Sequence, residues 1–227
     1  MSRARAQALV FDLDGTLVDS REDLATAVNR TRADFGLPPL ALAAVVGMVG
    51  QGARTLVRRA LGGEPAPELL ERALAGFLAH YEPICVERTR PYPGISGLLG
   101  ELARRVPLAL LTNKPERPTR VILERFGWSR HFATVIAGDS LPARKPAPDG
   151  LLALAARFGL PPAGLLMIGD SRIDAETAAA AGAPFLLVGW GFAGESERAG
   201  IAAGDRARDP EALRVLLVRR TAPDGGS

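Results

Sequence analysis

The sequence predicts an α/β protein in which a parallel sheet core is interrupted near its start by a helical insertion. Three observations carry that expectation. Short apolar runs end abruptly in polar residues: ALVF before Asp12, PLALL before Thr112, and LLMI before Gly169 and Asp170. Helical spacing fills the intervals between such runs. The interval between the first two is far longer than one crossover helix requires. Runs of this kind read as strands buried on both faces, with polar groups at their carboxyl ends, the edge where open α/β sheets bind ligands.

In chain order, the first strand leads directly into the insertion, roughly Leu17 to Arg90. Ser20 followed three residues later by Asp23 has the spacing of a capping box, and Leu24, Ala27, Val28, Thr31 and Phe35 share one helix face before Gly36 ends it. A second helix starts near Glu68, with Leu70, Leu74, Phe77, Leu78 and Tyr81 at helical spacing. Residues 1–17 and 91–227 then form the catalytic core and residues 18–90 a helical cap. Past the second strand the pattern alternates, with strands at Thr134 to Ala137 and Pro184 to Val188. Helices are expected near Arg117 to Phe126, Asp149 to Phe158 and Ile173 to Ala181. The Gly-rich tail, Ala222 to Ser227, is expected to fray.

Composition narrows the function classes. A chain of 227 residues with 47% hydrophobic and 23% charged residues is globular rather than disordered. No apolar run approaches the ~20 residues of a membrane helix, and the stretch Ala8 to Phe11 is too short for a signal peptide. A surplus of 28 basic over 25 acidic residues gives no nucleic-acid signature. Cys85, the single cysteine, can form neither an internal disulfide nor a thiolate metal site, which fits a reducing cytoplasm. The expected partner is a small molecule rather than nucleic acid or membrane, and the expected state is a monomer or homodimer.

The chemistry resides in four short elements. Asp12-Leu13-Asp14-Gly15-Thr16-Leu17 puts two carboxylates at a strand end, suited to a division of labour between attack and proton transfer, although Asp-Gly is also ordinary turn chemistry. In Thr112-Asn113-Lys114 a hydroxyl and an amide can bond a phosphate oxygen, or simply cap the next helix. Lys145, before a further helix, offers a point charge for phosphate. Gly169-Asp170-Ser171-Arg172-Ile173-Asp174 sets two carboxylates around a strand-to-helix turn; such hard oxygen ligands suit Mg2+, and the same residues would also complement a helix dipole. Four aspartates gathered at one edge would repel by about 4 kcal/mol per pair at ~4 Å. A divalent cation and a lysine would offset most of that.

These four elements, in this order, resemble the haloacid dehalogenase superfamily. The resemblance implies a Rossmann-like core with a helical cap inserted after the first element, and a phosphoaspartyl mechanism dependent on Mg2+. Asp12 would be the nucleophile and a metal ligand. Asp14 would act as general acid and then base, lending the metal its backbone carbonyl. Thr112 and Lys145 would hold the transferring phosphoryl group, Asp170 would ligate the metal, and Asp174 would support it directly or through water. An acid at Asp14 is similar to the phosphate-ester branch, which must protonate an alkoxide.

Within that branch FDLDGTLVDS, GQGA, TNKPE, RKPAPD and GDSRIDAETAAAAG resemble the phosphoglycolate phosphatase-like members, apart from Ile173, where relatives often have Asn. The resemblance implies 2-phosphoglycolate as substrate. A phosphosugar such as N-acetylmuramate 6-phosphate, a nucleotide, or phosphotransfer as in mutases stay open as alternatives. In the cap, Gly47 to Arg54 is the candidate specificity loop: Gly50, Gln51 and Gly52 would let backbone approach a ligand, and Arg54 would pair with a substrate carboxylate. An ordinary inter-helix loop with a solvated arginine is the other reading.

Overall fold

The computed structural model describes residues 5–198, 200 and 206–221. Strand β1 (Ala8–Phe11) is buried at every position and sits mid-sheet, so both of its faces need apolar cover. Its alternating side chains divide accordingly: Leu9 and Phe11 join one cluster, Ala8 and Val10 another. After β1 come β2 (Val18–Asp19), helices α1 (Arg21–Asp34), α2 (Leu42–Val46), α3 (Ala53–Ala60) and α4 (Pro67–Tyr81), then β3 (Arg90–Pro91) and α5 (Ile95–Leu102). The remainder alternates β4 (Leu108–Leu111), α6 (Glu116–Arg125), β5 (Phe132–Ile136), α7 (Asp149–Phe158), β6 (Leu165–Gly169), α8 (Arg172–Ala181) and β7 (Phe185–Val188). It closes with the short α9 (Glu195–Arg198), β8 (Arg206–Ala207) and α10 (Pro210–Arg220).

The described strands form a six-stranded sheet in the order β5-β4-β1-β6-β7-β8, parallel at every pairing. This is the doubly wound α/β architecture expected from the buried apolar runs. Leu98, Leu102, Ile122, Leu213 and Leu217 cover one face; Leu151, Leu154, Ala178 and Ala181 cover the other. Each fully buried Leu contributes about 1.5–3 kcal/mol of transfer free energy. From β1 the chain winds outward through β4 and β5, then returns across the sheet to β6 on the opposite side. β1 therefore lies at the topological switch point, where a crevice opens beyond the strand ends.

The helices between β2 and β3 gather a cluster of their own, with Leu24, Val28, Leu56, Phe77 and Tyr81 at its centre. The chain enters and leaves this segment through a two-residue antiparallel ribbon, Val18 facing Pro91 and Asp19 facing Arg90. At Ser20 and Asp23 the capping box expected from their spacing does not form. The Asp23 carboxylate instead accepts the Arg88 and Thr89 amides and the Thr89 hydroxyl, at 2.7–3.1 Å, fastening the return segment to α1. Strand β5 begins two residues before its expected start. No helix among the described residues is long and apolar enough to cross a membrane. The tail expected to fray lies outside the described residues.

Candidate active site

Each strand meeting at the switch point delivers a polar side chain to the same crevice. Asp12 follows β1, its amide bonded to the Ile168 carbonyl of β6 at 2.9 Å, and Thr112 follows β4, its amide bonded to Ile136 at 3.0 Å. Asp170 follows β6, and Asp174 lies in the first turn of α8. One carboxylate oxygen from each of Asp12, Asp170 and Asp174 lies within 4.8 Å of the others, although these residues span most of the chain.

Lys145 is the counter-charge. Its Nζ lies 2.8 Å from Asp12 Oδ1 and 2.6 Å from Asp174 Oδ1. The second oxygen of Asp174 accepts the Ser171 amide at 3.2 Å and its hydroxyl at 2.7 Å, and the Asp174 amide returns a bond to that hydroxyl. This capping box makes one carboxylate serve both the helix start and the lysine. Asp170 Oδ2 accepts the Phe192 amide at 2.6 Å and the Ala193 amide at 3.4 Å. Space for that carboxylate exists because Gly15 and Gly191 flank it: a Cβ on either would lie within 2.4 Å of Asp170 atoms.

Three carboxylates against one ammonium leave two negative charges in a buried cluster. The strain shows in the titration behaviour. Burial, reinforced by Asp174, pushes the Asp12 carboxyl up to about 7 against the pull of Lys145. Burial first, then Asp174 and Asp12, drives Asp170 well above the usual carboxylate range. Burial opposes the charge of Lys145, yet Asp12 and Asp174 together raise its ammonium above the ordinary lysine range. A net deficit of two charges on hard oxygen donors fits a divalent cation.

The Asp14 carboxylate stands outside this trio. Both of its oxygens lie 3.0 Å from Lys114 Nζ, and Oδ1 also accepts the Ser20 hydroxyl. The expected meeting of four aspartates is thus a cluster of three beside a separate Asp14–Lys114 pair. Lys114 in turn lies 4.6 Å from the centre of the Tyr81 ring.

The cavity in front of these groups has a volume of about 150 Å³. Asp12, Asp14, Thr112, Lys114 and Lys145 form its polar floor, and Leu24, Val46, Val49, Leu56, Phe77 and Tyr81 line it from the helical insertion. Gly50 and Gly52 reach this wall as expected. Gln51 and Arg54 do not: Gln51 accepts a bond from Arg59, and Arg54 pairs with Glu71, its side chain 45% exposed. Asn113 lines the cavity, but its amide donates to the carbonyls of Gly50 and Lys145, both at 2.9 Å, so it braces the two walls against each other. Sequence reasoning gave no role at the site to Ser20, Lys114, Tyr81 or the amides of Phe192 and Ala193. The last two are backbone donors, which carry no residue signature.

Fold and site together define a class: an α/β protein with a cluster of carboxylates at the edge of a parallel sheet. The family model described as haloacid dehalogenase-like hydrolase matches residues 6–182, and the chain belongs to that family. It is 44% identical over 197 residues to a phosphoglycolate phosphatase of Rhodospirillum rubrum, covering 83% of this chain and 82% of that one. A phosphoglycolate phosphatase of Chromobacterium violaceum is 40% identical, with 86% and 90% covered. Among solved structures, a predicted phosphoglycolate phosphatase from Haemophilus somnus superimposes with a TM-score of 0.86 at 30% identity, covering 94% of this chain and 98% of that one.

Proposed function

We propose that the protein hydrolyses 2-phosphoglycolate, with Asp12 as the nucleophile. The observation that carries this reading is Asp12 itself, a buried carboxylate with one oxygen on Lys145 at 2.8 Å and facing a cavity of a few carbons' size. The similarity to phosphoglycolate phosphatases supports the choice of substrate.

Phosphoryl transfer asks mainly for alignment and charge stabilisation. In the proposed reaction a free oxygen of Asp12 attacks phosphorus and forms an acyl phosphate. Asp14 gives its proton to the departing alkoxide, then accepts one from the water that cleaves the acyl phosphate. Ser20 and Lys114 orient Asp14 for both transfers. Lys145 holds Asp12 in line and, with the Thr112 hydroxyl, receives phosphoryl oxygens. Mg2+ fits the acidic cluster; Asp12, Asp170 and the backbone carbonyl of Asp14 would hold it, with Asp174 in support, and when bound it neutralises charge on the phosphoryl group. The helices from 18 to 90 act as a cap whose apolar wall excludes water. A single buried cysteine supports a reducing, cytoplasmic setting.

The test is a panel of phosphate esters assayed with Mg2+ for inorganic phosphate release. 2-Phosphoglycolate is expected to show the highest kcat/KM, above N-acetylmuramate 6-phosphate and nucleotides. A larger ester at the head of the ranking would overturn the substrate, and phosphate appearing on a second organic molecule would overturn hydrolysis.

A further inference from the structure

We propose that Lys114 and the Tyr81 hydroxyl form the subsite that receives the carboxylate of the substrate. This rests on the reading of a small acidic phosphate ester just given, and names the residues that would select it.

A second anionic group needs a cation in reach, and the cavity offers few. Lys114 and Lys145 are the cations among the described residues that line it. Lys145 is already committed to Asp12 and Asp174. Among the described residues Lys114 has one carboxylate partner, Asp14, and an ammonium carries three donors, enough for a second acceptor. Its side chain is 2% exposed, so water competes poorly for the remaining positions. Arg54, the other cation the sequence suggested, is engaged with Glu71.

Tyr81 supplies an independent sign. It lines the same cavity, is 1% exposed, and its hydroxyl has no hydrogen-bond partner among the described residues. A buried donor left unpaired is unfavourable until an acceptor arrives. Lys114 lies over the face of this ring, and both residues line the cavity. The other side chains on the insertion's wall, Leu24, Val46, Val49, Leu56 and Phe77, are apolar. A carboxylate seated here accepts from both groups while its phosphate end lies towards Asp12 and Lys145.

The experiment compares 2-phosphoglycolate with 2-hydroxyethyl phosphate, which is of similar length but has an uncharged tail. Wild type, Lys114→Met, Lys114→Arg and Tyr81→Phe are assayed with both esters, and the quantity read is the ratio of the two kcat/KM values. Lys114→Met is expected to lose activity on both, because Asp14 also loses its partner, but the acid-to-neutral ratio should fall by roughly 10- to 100-fold. Tyr81→Phe removes one oxygen and should lower the ratio by roughly 10-fold, chiefly through KM, while the protein melts no earlier. Lys114→Arg should keep more of the preference than Lys114→Met. Equal losses on both esters would show that Lys114 acts only through Asp14, and an unchanged ratio in Tyr81→Phe would remove the hydroxyl from the subsite. Wild-type turnover of both esters at the same rate overturns the subsite and leaves phosphatase activity standing. Turnover of neither would sink the phosphatase reading and this inference together.

Discussion

The floor and the wall of the cavity are built on opposite plans. At the sheet edge Asp12, Asp170, Asp174 and Lys145 bond to one another or to nearby amides, and glycines clear the space they need. On the insertion side the lining side chains are mostly aliphatic and aromatic, and the Tyr81 phenol has no partner among the described residues. Groups that must move charge are over-determined in position, as preorganised electrostatics requires. A surface that only selects by shape and one or two polar contacts can vary without disturbing them. The contrast predicts which changes abolish chemistry and which merely retune it.

The largest effect belongs to the floor. Asp12→Asn should cut kcat by about 10^4-fold or more while the fold survives, since the amide cannot attack phosphorus. Activity retained in a steady-state assay would remove Asp12 from the chemistry. Gly191→Ala comes next: its Cβ would meet the Asp170 Cβ at 2.2 Å, so the carboxylate must shift. Magnesium affinity, read by calorimetric titration, should weaken roughly 10- to 100-fold, and an unaltered binding curve would break the link between glycine and site.

The buried charge excess gives a pH signature. In the cation-free protein Asp12 titrates at about 7 rather than its ordinary 3.8. An acid raised on folding stabilises the native state fully only below about pH 4, and that contribution is lost as pH rises through 7. A divalent cation bound to the deprotonated cluster would offset this loss. The rise in melting temperature on adding Mg2+ should therefore be greater at pH 8 than at pH 6; an equal rise would contradict the charge argument. The smallest effect belongs to the wall's outer side. Arg54→Ala should change kcat/KM on 2-phosphoglycolate by less than about threefold, because its exposed pair with Glu71 faces solvent. A larger loss would move substrate recognition away from Lys114.

The same contrast explains what could be read in the sequence. The chemistry of the floor was legible because parallel strands buried on both faces are apolar runs, and the polar residue that ends each run lies at the edge where ligands bind. The positions of Asp12, Thr112 and Asp170 follow from that, and their roles from the family resemblance. Lys114 stands in the second element without a role of its own, because only tertiary folding turns its ammonium back to Asp14, a hundred residues earlier in the chain. Asp23 was misread for a related reason: its spacing from Ser20 suits a cap, but burial beside the unpaired amides of Arg88 and Thr89 gave it a stronger use. The ribbon of β2 and β3 is too short to carry any periodic pattern. The orientations of Gln51 and Arg54 were also beyond reach, since each depends on a partner from a neighbouring helix or turn.

The ribbon has a consequence for how such enzymes diversify. Val18 pairs with Pro91 and Asp19 with Arg90, so the two points at which the chain departs from the sheet and rejoins it are neighbours. The strand register of the sheet and the position of Asp12 therefore do not depend on the length of the excursion that leaves and returns here. The wall over the cavity can therefore change along most of its length, provided Ser20 still meets Asp14 and the Gly50 carbonyl still meets Asn113.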